Sequence, residues 1–109
     1  MSCRILTIPE FDKNVKKLSK RYKNLKNDLA LLVVTLRENP LSGTHIFGNC
    51  YKVRLANSSV PTGKNGGFRV ISYYISENSE LYLLSIYSKS EQDSIKHSEI
   101  IGVLKNITK

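Results

Sequence analysis

Between Tyr51 and Arg69 the chain reads YKVRLANSSVPTGKNGGFR and holds four cations, Lys52, Arg54, Lys64 and Arg69. In an extended Tyr51–Leu55 successive side chains point to opposite faces, so Tyr51, Val53 and Leu55 turn inward while Lys52 and Arg54 share the outer face. A two-residue step spans about 7 Å, a separation that suits successive phosphates of a nucleic-acid strand. The same alternation would also serve simply to solubilise the outer face of an antiparallel strand.

The rest of the composition bears on which reading holds. The 109 residues carry a net charge of +8, which favours an anionic partner such as nucleic acid, an acidic protein or an anionic surface. A 40% hydrophobic content over this length predicts one folded domain spanning residues 1–109. No apolar run reaches the length of a membrane span, and Ile5, Leu6 and Ile8 before Pro9 do not make a signal-peptide core, so a cytoplasmic protein with no membrane partner is expected. Cys3 and Cys50 are the only cysteines, too few for a disulfide framework and without the clustered ligands of a zinc site. Both are read as reduced, Cys50 as a packing residue. His45 and His97 are read as surface or strand-end residues. Neither a metal nor a small-molecule cofactor is expected.

The elements that must position the cations follow from periodicity. Arg4–Ile8 is short, apolar and β-branched, a strand halted by Pro9. Phe11, Val15, Leu18 and Tyr22 then recur at helical spacing. Lys13, Lys16, Lys17, Lys20 and Arg21 lie between them, giving an amphipathic helix with a basic outer face. Arg4, Lys23 and Lys26 join these cations against Glu10 and Asp12 alone, so most of the charge excess lies before residue 27. Such a helix suits an anionic surface, although a solvated charged face is the plainer alternative.

After a turn allowed by Asn24 and Asn27, Leu25, Leu29, Leu32, Val33 and Leu36 mark a second helix ending near Asn39-Pro40. The two should form a hairpin covering one face of a sheet, neither having another apolar surface large enough to bury. Leu41–Asn49 supplies a turn and a short strand segment around His45-Ile46-Phe47. Ala56–Gly67 reads as a hairpin loop, Phe68–Ser76 as a strand, and Leu81–Ser88 as an apolar strand near the sheet centre. Ser90 with Asp93 resembles a capping box. Ile95, Ile100, Ile101, Leu104 and Ile107 then fit one face of a closing helix. The layout is α+β with helices on a mixed or antiparallel sheet. Gly66-Gly67 precedes a strand, the wrong context for a phosphate-binding helix N-terminus.

Taken in order, the helix hairpin, the NP that closes it, YKVRL, the GK-x-GG-x-RVI stretch and LLSIYSKSE resemble the RelE/ParE toxin superfamily, most of all its HigB-like branch. The resemblance covers nearly the whole chain. It implies a small twisted sheet with the helical hairpin on one side and a C-terminal helix. It also implies a toxin of a type II toxin–antitoxin system: a metal-independent endoribonuclease (mRNA interferase) that cuts messenger RNA on the ribosome, at the 16S rRNA decoding site. A cognate antitoxin would neutralise it. By position Lys52 and Arg54 match the family's paired basic residues, Arg69 the arginine after the glycine turn, Lys64 a basic loop residue of the HigB-like branch, and Lys89 the basic residue after the last strand. The sequence departs from the RelE branch at Ile95, which stands where that branch has a catalytic tyrosine. Tyr87 is the nearest phenol in sequence.

Cleavage of this kind needs a proton removed from a 2′-hydroxyl, charge stabilisation on a phosphorane and a proton for the leaving 5′-oxygen. Arginine holds its charge and donates two parallel hydrogen bonds to phosphate, so Arg69 is assigned to the transition state and Arg54, with Lys64, to phosphate anchoring. Neighbouring cations disfavour the ammonium form of a lysine and so favour its use as a base. Lys52, Lys89 and Tyr87 are therefore the proton-transfer candidates. Lys13, Lys16, Lys17, Lys20 and Lys23 would hold ribosomal RNA phosphates without reading sequence. Tyr73, Tyr74 and Tyr82 are read as sheet packing. Two alternatives remain open: the gyrase-binding ParE-like branch, which lacks this set of ribonuclease cations, and a non-catalytic toxin-like subunit of a DNA-binding complex, which Ile95 favours.

Overall fold

Pro9 ends the first strand and begins the first helix, as its fixed φ and missing N–H require. In the computed structural model, which describes residues 3–60, 67–92 and 94–107, β1 (Arg4–Thr7) passes through Ile8 into α1 (Pro9–Arg21). Phe11 and Leu18 are buried along α1, and Tyr22, at its C-terminal cap, is buried too. After Asn24 the chain enters α2 (Leu25–Glu38), which buries Leu25, Leu32 and Leu36 and is capped at Asn39. The strands β2 (Thr44–Phe47), β3 (Cys50–Leu55), β4 (Phe68–Ile75) and β5 (Glu80–Ser88) follow, and then α3 (His97–Leu104).

The five strands lie in the order β1-β5-β4-β3-β2. All neighbours are antiparallel except β1, which runs parallel to β5 with Arg4 opposite Glu80 and Thr7 opposite Leu83. The sheet is therefore mixed, and the layout is the expected α+β one. Among the described residues no strand completes this side of β5 beyond Thr7, and α1 takes over: Asn14 Oδ1 accepts from the Ile86 N–H at 3.1 Å and the Ser85 hydroxyl at 3.2 Å. An asparagine on a helix thus satisfies a strand donor that burial would otherwise leave costly.

Val53, Leu55, Phe68, Val70 and Ile86 are all buried, and the register of β3, β4 and β5 puts them on one face. Tyr22 meets Phe68 edge-on, with ring centroids 5.3 Å apart and planes at 83°, fixing the helical hairpin to that face.

Two expectations need correction. The closing helix does not start at Ser90, whose hydroxyl bonds Ser88 Oγ at 2.9 Å in the turn after β5. The Ser88 carbonyl collects the N–H groups of Glu91 and Gln92, closing that turn before a helix can begin, and the helical cap is Lys96. Ile95 therefore precedes α3 and Ile107 follows it, both packing partly buried on the core, while within the helix Ile100 is buried and Ile101 is 46% exposed. Asp93 lies outside the described residues. The second correction concerns α2, which does have a further apolar surface: Leu31 and Val34 face outward, 68% and 56% exposed.

Buried Asp28 on α2 accepts from the Ser58 N–H at 3.1 Å and the Ser58 hydroxyl at 2.7 Å, holding the segment that leaves β3. Asp28→Ala should lower the unfolding free energy by about 1.5–3 kcal/mol, the worth of hydrogen bonds to a charged group, as read from urea denaturation. A change below about 0.5 kcal/mol would show that Ser58 is held by something else.

Candidate functional site

The alternation that buries Val53 and Leu55 turns Lys52 and Arg54 to the other side of the sheet, where Arg54 is exposed and Lys52 half-buried. Arg69 on β4 is the direct cross-strand partner of Arg54. Such partners have Cα atoms about 4.5–5.5 Å apart, and like charges placed so close destabilise a sheet. Together with Lys89, just past the end of β5, these residues line a cleft of about 540 Å3 whose remaining walls are Gly43, Thr44 and Val53. Among the described residues that line it, none is acidic. The arrangement is a site for an anion bearing several charges.

Each cation is set by its own backbone. Arg69 lies next to fully buried Phe68, so packing of the phenyl ring fixes the strand that carries the guanidinium, and Arg69 Nη1 also donates to the Phe68 carbonyl at 3.3 Å. The Lys89 N–H donates to the Gly67 carbonyl at 3.0 Å, which ties the end of β5 to the start of β4. Gly67 has φ +83°, and a Cβ there would stand 2.9 Å from the Leu55 carbonyl oxygen. Behind Lys89, Glu91 Oε2 accepts from Arg21 Nη1 at 2.6 Å and from the Tyr22 hydroxyl at 3.4 Å. The turn holding Lys89 is thereby anchored to the end of α1.

Of the residues singled out in the sequence, Lys52, Arg54, Arg69 and Lys89 come together. Tyr87 does not line this cleft. It pairs with Arg69 across β4 and β5, is 6% exposed, and borders a separate hollow of about 100 Å3 with Asn14, Lys17 and Glu91. Lys64 lies outside the described residues. Lys13, Lys16, Lys17 and Lys20 are exposed on α1, away from the cleft. Tyr73, Tyr74 and Tyr82 pack partly buried against the core. His45 Nε2 lies 2.8 Å from the Gly48 carbonyl, and the His97 ring packs 5.0 Å from Phe47. Burial pushes the Cys50 thiol up to about 11, as suits an inert packing residue. Among the described residues no group of three or more His, Cys, Asp or Glu side chains could hold a metal ion, and no helix is long and apolar enough to cross a membrane.

Gly43 and Thr44 are the cleft residues that sequence reasoning missed. Thr44 pairs with Lys52 across β2 and β3. Gly43 has φ +100°, and a Cβ on it would lie 2.9 Å from the Lys52 carbonyl carbon and closer still to its oxygen. Only glycine combines that backbone angle with that approach. Gly43→Ala should therefore cost more than about 1 kcal/mol and shift the backbone that carries Lys52. Thermal melts and amide chemical shifts of β3 check this. An unshifted Lys52 amide would contradict it.

No family model matches the chain. Comparison with solved structures does find similar folds. A mutant form of the E. coli toxin RelE in the free state superposes with a TM-score of 0.60 at 18% identity, covering 85% of this chain and 90% of that one. A chain of the intact E. coli RelBE toxin–antitoxin complex matches with a TM-score of 0.53 at 22% identity, over 78% of this chain and 94% of that one. The helical hairpin, the mixed sheet and the closing helix described above are thus the parts of a RelE-like fold, and that is the fold to which this chain belongs.

Proposed function

We propose that the protein is the toxin of a type II toxin–antitoxin system, a HigB-like, ribosome-dependent mRNA endoribonuclease that works without a metal and is neutralised by a cognate antitoxin. The observation that carries this reading is the cleft in which Lys52, Arg54, Arg69 and Lys89 converge with no acidic residue among the described ones that line it.

RNA in this cleft would place its scissile phosphate between Arg54 and Arg69. As the 2′-oxygen attacks phosphorus, negative charge grows on the non-bridging oxygens, and the Arg69 guanidinium donates to them. Arg54 anchors a neighbouring phosphate, with Lys64 as a second anchor. Lys52 and Lys89 stand on opposite sides of the arginine pair, one on β3 and one after β5, which suits removal of the 2′-proton on one side and protonation of the departing 5′-oxygen on the other. The products are a 2′,3′-cyclic phosphate and a 5′-hydroxyl. Tyr87, being buried, would have to swing out of its hollow to exchange a proton or stack on a base. The exposed lysines of α1 add affinity for ribosomal RNA phosphates.

Pulse labelling after induction of the chain alone tests the assignment. Methionine incorporation should collapse within minutes while thymidine incorporation continues, and co-expression of the cognate antitoxin should restore growth. Loss of thymidine incorporation first would identify a gyrase poison, and normal incorporation of both would identify a non-catalytic subunit.

A further inference from the structure

From Leu29 to Leu36, α2 reads LALLVVTL with no charged residue. A helix that is apolar all round is normally buried all round. The sheet accounts for one side of this one, taking Leu32 and Leu36, which are 3% and 0% exposed. On the other side Ala30, Leu31 and Val34 form an exposed apolar band.

This band begins at a basic hollow. A depression of about 520 Å3 between α1 and the first turn of α2 is lined by Lys16, Lys20, Lys23 and Lys26 around Val15 and Ser19, with Asp12 the sole acidic residue. Lys26, Ala30 and Val34 stand four residues apart and so lie in one row, which carries the apolar band straight out of the lysine-ringed hollow. The Ser19 hydroxyl on its floor is buried with no hydrogen-bond partner among the described residues.

We infer that an acidic amphipathic helix of a partner protein docks along α2, with its apolar side chains on Ala30, Leu31 and Val34 and its carboxylates on Lys16, Lys20, Lys23 and Lys26. The charge pattern selects this occupant. A second copy of the chain would bring two charges of +8 and two lysine clusters together. Nucleic acid would satisfy the lysines and leave the apolar band in water. An anionic membrane calls for cations along both borders of an apolar band, whereas Asn27 and Thr35 stand one turn to either side of Leu31 and Glu38 continues the row of Ala30 and Val34. The docking face lies across the sheet from the cationic cleft, so the partner can be held without filling the cleft. The proposal rests on the preceding reading only in taking that partner to be the neutralising protein.

A fluorescein-labelled synthetic peptide of about five helical turns, with leucines on one face and glutamates on both flanks, tests this by fluorescence anisotropy. The parent should bind it. Leu31→Asp combined with Val34→Asp should weaken binding at least about tenfold, as should Lys20→Glu combined with Lys23→Glu. Circular dichroism melts should show both doubles folded, since all four side chains are exposed. Arg69→Ala should bind like the parent, and because the assay involves no RNA cleavage, docking and catalysis can fail separately. The proposal is overturned if the parent does not bind the peptide, or if the Leu31/Val34 double binds it unchanged. It is equally overturned if that double instead loses binding to phosphatidylglycerol vesicles or an oligouridine, or loses a parent dimer seen by sedimentation.

Discussion

Arg69→Ala should reduce single-turnover cleavage of a messenger on programmed ribosomes by about 10²–10³-fold, the effect of removing one preorganised donor from a developing oxyanion. The fold should not suffer. Arg69 lies directly opposite Arg54 in the β3–β4 register, so its removal relieves a like-charge pair, and the melting temperature should stay level or rise slightly. Arg69→Lys separates charge from geometry: lysine keeps the positive charge but lacks the planar fork, and an intermediate loss of about tenfold is expected. An alanine variant that cleaves within threefold of the parent would remove Arg69 from the transition state.

Phe68→Ala should be the most destabilising single change near the site, costing about 3–5 kcal/mol. The ring is fully buried and packs edge-on against Tyr22, so its loss opens a cavity between β4 and the helical hairpin. Against a typical total of about 5–15 kcal/mol, that is enough to populate the unfolded chain. Urea denaturation measures the loss, and Phe68→Leu, which refills most of the volume, should cost less than half as much. Adjacent residues on β4 therefore divide the work: Phe68 holds the strand to the core, and Arg69 uses that rigidity. A loss below about 1 kcal/mol on Phe68→Ala would show that the helices are held elsewhere.

The cation cluster was legible because it rests on local rules. Alternation along YKVRL puts Val53 and Leu55 inside and Arg54 outside, and the structure keeps that pattern. The helices were legible from the spacing of Phe11, Leu18, Leu25, Leu32 and Leu36. Non-local pairing was not. Nothing near Arg4 signals that it will lie beside Glu80, nor that Asn14 will complete β5 where β1 stops. Ser90 carried the right chemistry for a helix cap, but the Ser88 carbonyl had already claimed the following N–H groups. Gly43 entered the cleft through a positive φ and a close approach to β3, which composition marks only as a turn. Tyr87 is buried beside a hollow that residues of α1 and β5 line together, a neighbourhood of residues far apart in sequence. The exposed side of α2 was hidden by its own composition, since an apolar run reads as core, whereas among the described residues none covers Leu31 and Val34.

The most direct measurement is primer extension on a defined messenger during cell-free translation, with and without ribosomes, comparing the parent with Arg69→Ala. Cuts at codon positions that need both ribosomes and the arginine are the expected result. Intact messenger with translation unimpaired, or the same cuts made by the alanine variant, would contradict it.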